Sequence, residues 1–359
     1  MELSGVGEFG LIELLSRRVP PGRTDVVKGI GDDAAVVRVS GENWLLLTTD
    51  MLVEEIHFSF SFATPGQVGR KALVASISDI AAMGGWPTHA LVSLGVPLSL
   101  AVEVLEGIYA GMQKAAAEYG VDIVGGDTVR SPDGLVINVA LLGAVEAGRP
   151  LYRSGARPGD LVFVTGPLGG SAAGLYLCRH PETPVGREAA DFLRSAHLEP
   201  RACVRAGRIL AATGRVTAAD DISDGLAGEL HEICRASGTG CLIREGAVPL
   251  DERVRELARL AGKEPLDWAL YGGEDFELVF TVPAPNAAEV VRELAAEKIE
   301  CYLVGEIVPR ERGICLQTGK GEITPLSARG YDHFRPDEDR NRQRESRKVK
   351  GREKQFVTP

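Results

Sequence analysis

The sequence predicts an α/β (α+β) protein of two domains, and three observations carry that reading. Apolar runs of strand length alternate with stretches whose apolar residues recur at helical spacing along most of the 359 residues. That length exceeds what one hydrophobic core ordinarily serves. Between Ala144 and Arg157 the composition breaks, with Gly148, Pro150 and Gly155 followed by Pro158, as at a domain boundary. The predicted domains are therefore 1–148 and 149–334, with a tail over 335–359.

Taken in order, Phe9, Leu11-Ile12 and Leu14-Leu15 have helical spacing and stop at Pro20-Pro21, which predicts a short amphipathic helix. Val26 to Val39 and Trp44 to Thr49 are predicted strands, joined through Ser40-Gly41-Glu42-Asn43. Inside the first lies Gly29-Ile30-Gly31-Asp32-Asp33-Ala34-Ala35, which places two carboxylates at a bulge or turn and leaves Asp50 at the end of the second strand. Thr64-Pro65 is an N-cap and first-turn pair for a helix from about Gly66 to Met83, closed by Gly84-Gly85 and Pro87. Asp79 falls within it, among Ile77, Ile80 and Met83. After a strand from Ala90 to Val96, Ser99 is expected to cap a helix with Val102, Leu105, Ile108, Met112 and Ala116 on one face, ending at Gly120. Val121 to Val124 then leads into Gly125-Gly126-Asp127-Thr128, and Leu135 to Val145 is another strand.

The second half opens with a strand from Asp160 to Thr165, the turn Gly166-Pro167-Leu168-Gly169-Gly170-Ser171, and a helix from Ala172 to Cys178. A strand, a glycine-rich turn and a helix N-terminus together can hold an anion. With no lysine after the glycines this is not a nucleotide P-loop, and a structural turn is the expectation. Further helices are predicted near Pro200 to Ala212, Asp224 to Ser237, Asp251 to Ala261 and Pro285 to Glu297, with strands at Phe276 to Val282 and Cys301 to Ile307.

Acids recur beside apolar segments: Asp32-Asp33, Asp50, Asp79, Asp127, Asp221 with Asp224, and Glu274-Asp275. One such segment alone is equally a hairpin turn. Recurrence favours hard cations, because Mg²⁺ takes oxygen ligands, keeps waters and shares the phosphates of a nucleotide. The formal charge of −10 argues against a nucleic-acid partner. The tail from Arg335 carries nine Lys or Arg against five Asp or Glu, so the remainder stands near −14. Such a tail is expected to be disordered. Cys178, Cys203, Cys234, Cys241, Cys301 and Cys315 lack the C-x-x-C spacing of zinc or redox motifs. No apolar run approaches the roughly 20 residues of a membrane span, and MELSGVGEFG has no leader pattern. A cytoplasmic location is the expectation.

Taken together, GIGDDAAV from Gly29, TTDMLVEEIHF from Thr48, KALVASISDIAAMG from Lys71, GGDT from Gly125, DISDGL from Asp221 and GGEDFELVF from Gly272 resemble the thiamine-monophosphate kinases. These sit within the wider superfamily of aminoimidazole ribonucleotide synthetase-like proteins. The resemblance covers the chain to about Phe334. It implies a first domain whose sheet pairs in a homodimer, a second mixed α/β sandwich, and Mg²⁺- and ATP-dependent phosphorylation of thiamine monophosphate by in-line transfer. It implies Asp33, Thr48, Thr49, Asp50, Asp79, Asp127, Asp221 and Asp224 as Mg²⁺ ligands, with Asp32 behind them. Tyr109, Gly126, Asp127, Arg153 and Ser223 would lie along ATP, and His57, Glu274 and Tyr331 would contact the thiamine phosphate. Taken singly, His57 is also readable as a core histidine, Tyr109 as a helix tyrosine and Tyr331 as a strand-end anchor.

Phosphoryl transfer is mostly positioning and charge neutralisation, consistent with many carboxylates and no Ser-His or Cys-His pair. An acceptor phosphate, with a second pKa of about 6, is already largely anionic at neutral pH and needs no general base. One departure stands out. Where the family usually shows glycine in a V-E-G-V-H-F run, this chain has Glu55 in Glu54-Glu55-Ile56-His57. If that position needs positive φ, Glu55 strains the turn that aims His57. The rival readings are an amide- or selenide-activating synthase of the same superfamily, weakened by the lack of a cysteine-bearing N-terminal loop, and an acidic metal-binding scaffold.

Overall fold

The computed structural model describes residues 7–19, 23–39 and 41–328. Tyr331 and the tail 335–359 lie outside them. Helix α1 (Gly7–Ser16) belongs to a separate small unit, and all that follows concerns the unit from Gly22 to Tyr331.

The first sheet has six strands, β1 (Val26–Lys28), β2 (Ala35–Arg38), β3 (Asn43–Val53), β4 (Trp86–Val96), β5 (Asp122–Arg130) and β6 (Val136–Glu146), in the order β1-β2-β3-β6-β4-β5. All neighbours are antiparallel except β4 and β5. One face carries Leu46, Leu52, Ile137, Val139 and Leu141, all buried, against helix α2 (Pro65–Ala82). The other face leaves Met51 and Leu91 exposed.

Thr64 caps α2 by a reciprocal pair of bonds with Gln67, behind Pro65 in the first turn. Helix α3 (Val102–Tyr119) lies against α2 through glycines. A Cβ on Gly69 would stand 1.9 Å from the Ile108 carbonyl oxygen, and one on Gly111 1.9 Å from that of Gly66. The two helices therefore touch backbone to backbone.

The second sheet has seven strands, β7 (Asp160–Val164), β8 (Ala218–Asp221), β9 (Gly240–Arg244), β10 (Leu278–Pro283), β11 (Tyr302–Val308), β12 (Ile314–Gln317) and β13 (Ile323–Pro325), ordered β13-β12-β9-β11-β7-β10-β8. Helices α4 (Gly170–Arg179), α5 (Arg187–Leu198), α6 (Val204–Thr213), α7 (Leu226–Ser237), α8 (Glu252–Ala261), α9 (Pro265–Tyr271) and α10 (Ala287–Ala296) surround it. Val162, Val164 and Val279 pack with Leu230 and Ile233 of α7 on one side. Phe163 and Phe280 pack with Leu210 of α6 and Leu294 of α10 on the other, as period-2 strands buried on both faces require. Helix α2 also touches β8, α5 and α6, so it belongs to both halves.

Several elements differ from the sequence expectations. Ser99 caps nothing: α3 starts after Ala101, which makes no side-chain cap. β3 continues to Val53, so Asp50 is interior to a strand, and β5 runs through Gly125 to Thr128 rather than turning there. In both cases the pairing with β6 and β4 overrides local turn preference. β4 begins at Trp86 and accommodates Pro87 at a register shift. Helices α5 and α9 and strands β8, β9, β12 and β13 were not among the predicted elements.

Candidate active site

The turn between β1 and β2 brings Asp32 and Asp33 together, with Gly31 at φ +108 making the turn. Asp32 is sealed from solvent and braced by Lys28 at 2.8 Å and by the main-chain N–H of Arg153 at 3.1 Å. Alternation along β3 turns Thr48 and Asp50 toward α2, where Thr48 donates to Asp79 and Ser76 donates to Asp50 at 2.6 Å. Two residues on, Ser78 donates to Asp221 at 2.6 Å, from β8 of the other half. The acids thus come from a turn, a strand and a helix of the first half and a strand of the second.

Asp33, Asp220 and Asp221 each place a carboxylate oxygen within 4.8 Å of the others. Arg153 enters the same cluster, bonded to Asp33 and, through Nε at 3.0 Å, to Asp220. Burial pushes the carboxyls of Asp33 and Asp50 up, and those of Asp79, Asp220 and Asp221 well up. Mutual repulsion adds to this: Asp79 is raised further by Asp50, Asp221 and Asp33. Burial opposes the charge on Arg153, but Asp220 and Asp33 outweigh it and hold the guanidinium well above its ordinary value. Asp33 Oδ2 is buried without a hydrogen-bond partner among the described residues. Buried hard oxygens in excess of their counter-charges suit a divalent cation of the Mg²⁺ type.

Other expected residues fall around this cluster. Thr49 points to the open sheet face, where Asn138 donates to its hydroxyl at 2.8 Å. Tyr109 packs half-buried from α3 against the first core. Gly126 and Asp127 lie in the exposed edge strand β5, opposite Val92 and Ser93. No hydrogen bond or ion pair joins Asp127 to the cluster among the described residues. Only glycine fits at 126, since a Cβ would stand 1.7 Å from the Val92 carbonyl oxygen. Ser223 and the main-chain N–H of Asp224 both donate to Glu229, at 3.4 and 2.8 Å. Burial, then Asp224, pushes the Glu229 carboxyl up to about 8.

His57 sits in a tight turn, its Nδ1 accepting from the Val53 N–H at 2.9 Å. Glu55 does take positive φ there, +62, and its carboxylate is fastened by Ser59 at 2.8 Å. Glu274 is bonded to buried Lys71 and packed beside His197. The glycine turn before α4 holds no free anion site, because Asp275 accepts from the N–H groups of Gly169 and Ser171 at 2.6 and 3.0 Å. It is a structural turn, as expected.

Sequence reasoning missed Asp220, Glu229 and the serines of α2. Asp220-Asp221 repeats the doublet of Asp32-Asp33, and that repetition was the available signal.

Residues 31–145 match the family model of the AIR synthase related protein N-terminal domain, and 157–316 that of the C-terminal domain. The thiamine-monophosphate kinase of Bacillus subtilis is 37% identical over 331 residues, covering 91% of this chain and 99% of the relative. That of Pyrococcus horikoshii is 38% identical over 306 residues, covering 85% and 91%. The chain belongs to the thiamine-monophosphate kinase family. The fold is thus a pair of domains of the AIR synthase related type. Among solved structures, AaThiL complexed with AMPPCP and TMP, another match to this family, superposes with a TM-score of 0.81 at 34% identity, covering 93% of this chain and 99% of the other.

Proposed function

We propose that the chain phosphorylates thiamine monophosphate to thiamine diphosphate with ATP as donor. The observation that carries the reading is the convergence of Asp33, Asp50, Asp79, Asp220 and Asp221 on one buried locus beside Arg153. Asp33, Asp50, Asp79, Asp220 and Asp221 would hold Mg²⁺, with Thr48 beside them. Asp127, Thr49 and Asp224 complete the proposed ligand set. When bound, the metal neutralises phosphate charge and orients the oxygens for in-line displacement. Arg153 would meet a nucleotide phosphate, with Tyr109, Gly126 and Ser223 along the same donor.

His57, Glu274 and Tyr331 would bind the acceptor. Its phosphate oxygen, ionised with a pKa of about 6, attacks without a protein base. We further take 1–148 and 149–334 as the two domains. Pairing of two copies through the open face of the first sheet would bury Met51 and Leu91, and Thr49 lies on that same face. The test is ADP release against thiamine monophosphate, free thiamine and unrelated phosphate monoesters, with and without Mg²⁺. Turnover confined to thiamine monophosphate and Mg²⁺ supports the reading, and equal turnover on free thiamine overturns it.

A further inference from the structure

Glu274 lies on a segment pressed tightly against the turn before α7. Its own N–H donates to the Ser223 carbonyl at 2.7 Å, and a Cβ on Gly273 would stand 2.3 Å from that same oxygen. Glu274 itself has φ +66, a left-handed conformation that strains a non-glycine residue. Something must hold its side chain in one pose.

Two buried groups do so. Lys71 of α2, with its side chain 4% exposed, donates to Glu274 Oε2 at 2.8 Å, whereas the Glu274 side chain is 28% exposed. His197 of α5 places Nδ1 at 3.2 Å from the same oxygen. Its Nε2 lies 3.3 Å from Lys71 Nζ and its Nδ1 3.0 Å from the Ser171 hydroxyl. An ammonium only donates, so Nε2 must accept, and the neutral imidazole carries its proton on Nδ1, facing Glu274 and Ser171. Burial and then Lys71 push the His197 ring down to about 3, consistent with that neutral form. Burial raises the Glu274 carboxyl, but Lys71 and His197 outweigh it and keep the group ionised. Both contacts go to Oε2, and Oε1 has no hydrogen-bond partner among the described residues. One oxygen is thus anchored twice, and the other is held by no protein group among the described residues. Lys71 and His197 also line a small pocket with Phe58, the neighbour of His57.

We propose that Lys71, seconded by His197, is a positioning residue that orients Glu274 Oε1 toward the thiamine moiety of the acceptor. The proposal rests on the acceptor reading of Glu274 given above. It assigns to α2 of the first half the control of a substrate contact in the second.

The test compares Lys71→Met, Glu274→Gln and the double variant, each with a melting curve and with KM and kcat for both substrates. Lys71→Met is expected to raise KM for thiamine monophosphate at least tenfold, leaving KM for ATP and kcat within about threefold. In the double variant no buried charge is left unpaired, and its KM should equal that of Glu274→Gln, since the positioned group is already gone. A folded Lys71→Met with unchanged KM for thiamine monophosphate overturns the proposal. So does a double variant whose KM exceeds that of Glu274→Gln tenfold, which holds even if Lys71→Met alone does not fold. Failure of the unmodified protein to use thiamine monophosphate would instead refute the acceptor reading itself.

Discussion

At Asp79 and Asp220 the folded chain confines carboxylates that the unfolded chain leaves in water. Burial first, and like charge second for Asp79, raises their proton affinity above the ordinary 3.8. Glu229 is carried from 4.5 to about 8. The native state therefore keeps protons that the unfolded state has lost. Stability should be lost progressively as pH climbs from near 4.5 through 8. Without Mg²⁺ the melting temperature is expected to fall between pH 5 and 8, and saturating Mg²⁺ should flatten the decline. A melting temperature that rises over that interval in chelator would contradict the account. At fixed pH 8 in chelator, Asp79→Asn should melt a few degrees higher than the parent, yet gain less from added Mg²⁺ and lose turnover. Scanning calorimetry with and without the metal reads both effects.

Among the elements, α2 is the one on which the site depends most, and its seating on α3 has no spare room. Gly111→Ala would push a methyl group into the Gly66 carbonyl, where backbone cannot step aside as a side chain could. A loss of about 2–3 kcal/mol is expected, read as a lowered urea midpoint, together with reduced turnover because Ser76, Ser78 and Asp79 ride on the displaced helix. Gly120→Ala, at φ +71 but facing open space, should cost only about 1 kcal/mol. Equal losses for the two would refute the packing argument. This helix was also the most legible element, since Thr64, Pro65, its apolar spacing and Gly84 agree at every level. β8 was the least. Ala218-Ala219-Asp220-Asp221 has neither β-branched residues nor alternation, and it is a strand only because β10 pairs with it. Asp220 was overlooked along with that strand. Lys71 opens the run KALVASISDIAAMG, but its partner lies 203 residues away, beyond any local pattern.

For the whole molecule, the open face of the first sheet is the feature without a described covering. Met51 and Leu91 are 56% and 41% exposed on strands interior to that sheet, and Val129 on the edge strand is 57% exposed. If two copies pair there, Met51→Asp with Leu91→Asp should shift the sedimentation of the protein to that of a monomer while circular dichroism stays unchanged. An unaltered sedimentation coefficient would place the contact elsewhere or show that none forms.

Helix α2 also acts as a ruler. Lys71 reaches toward Glu274 and Asp79 toward the carboxylates, eight residues and so about 12 Å of helix rise apart. Each residue of an α-helix also turns the next by about 100°. Adding one alanine between Lys71 and Ser76 would therefore swing Lys71 away from Glu274 or Asp79 away from its cluster, with every side chain still present. At α2 this chain can therefore exchange letters, whereas lengthening or shortening the word would put the Lys71–Glu274 pair and the carboxylate cluster out of phase.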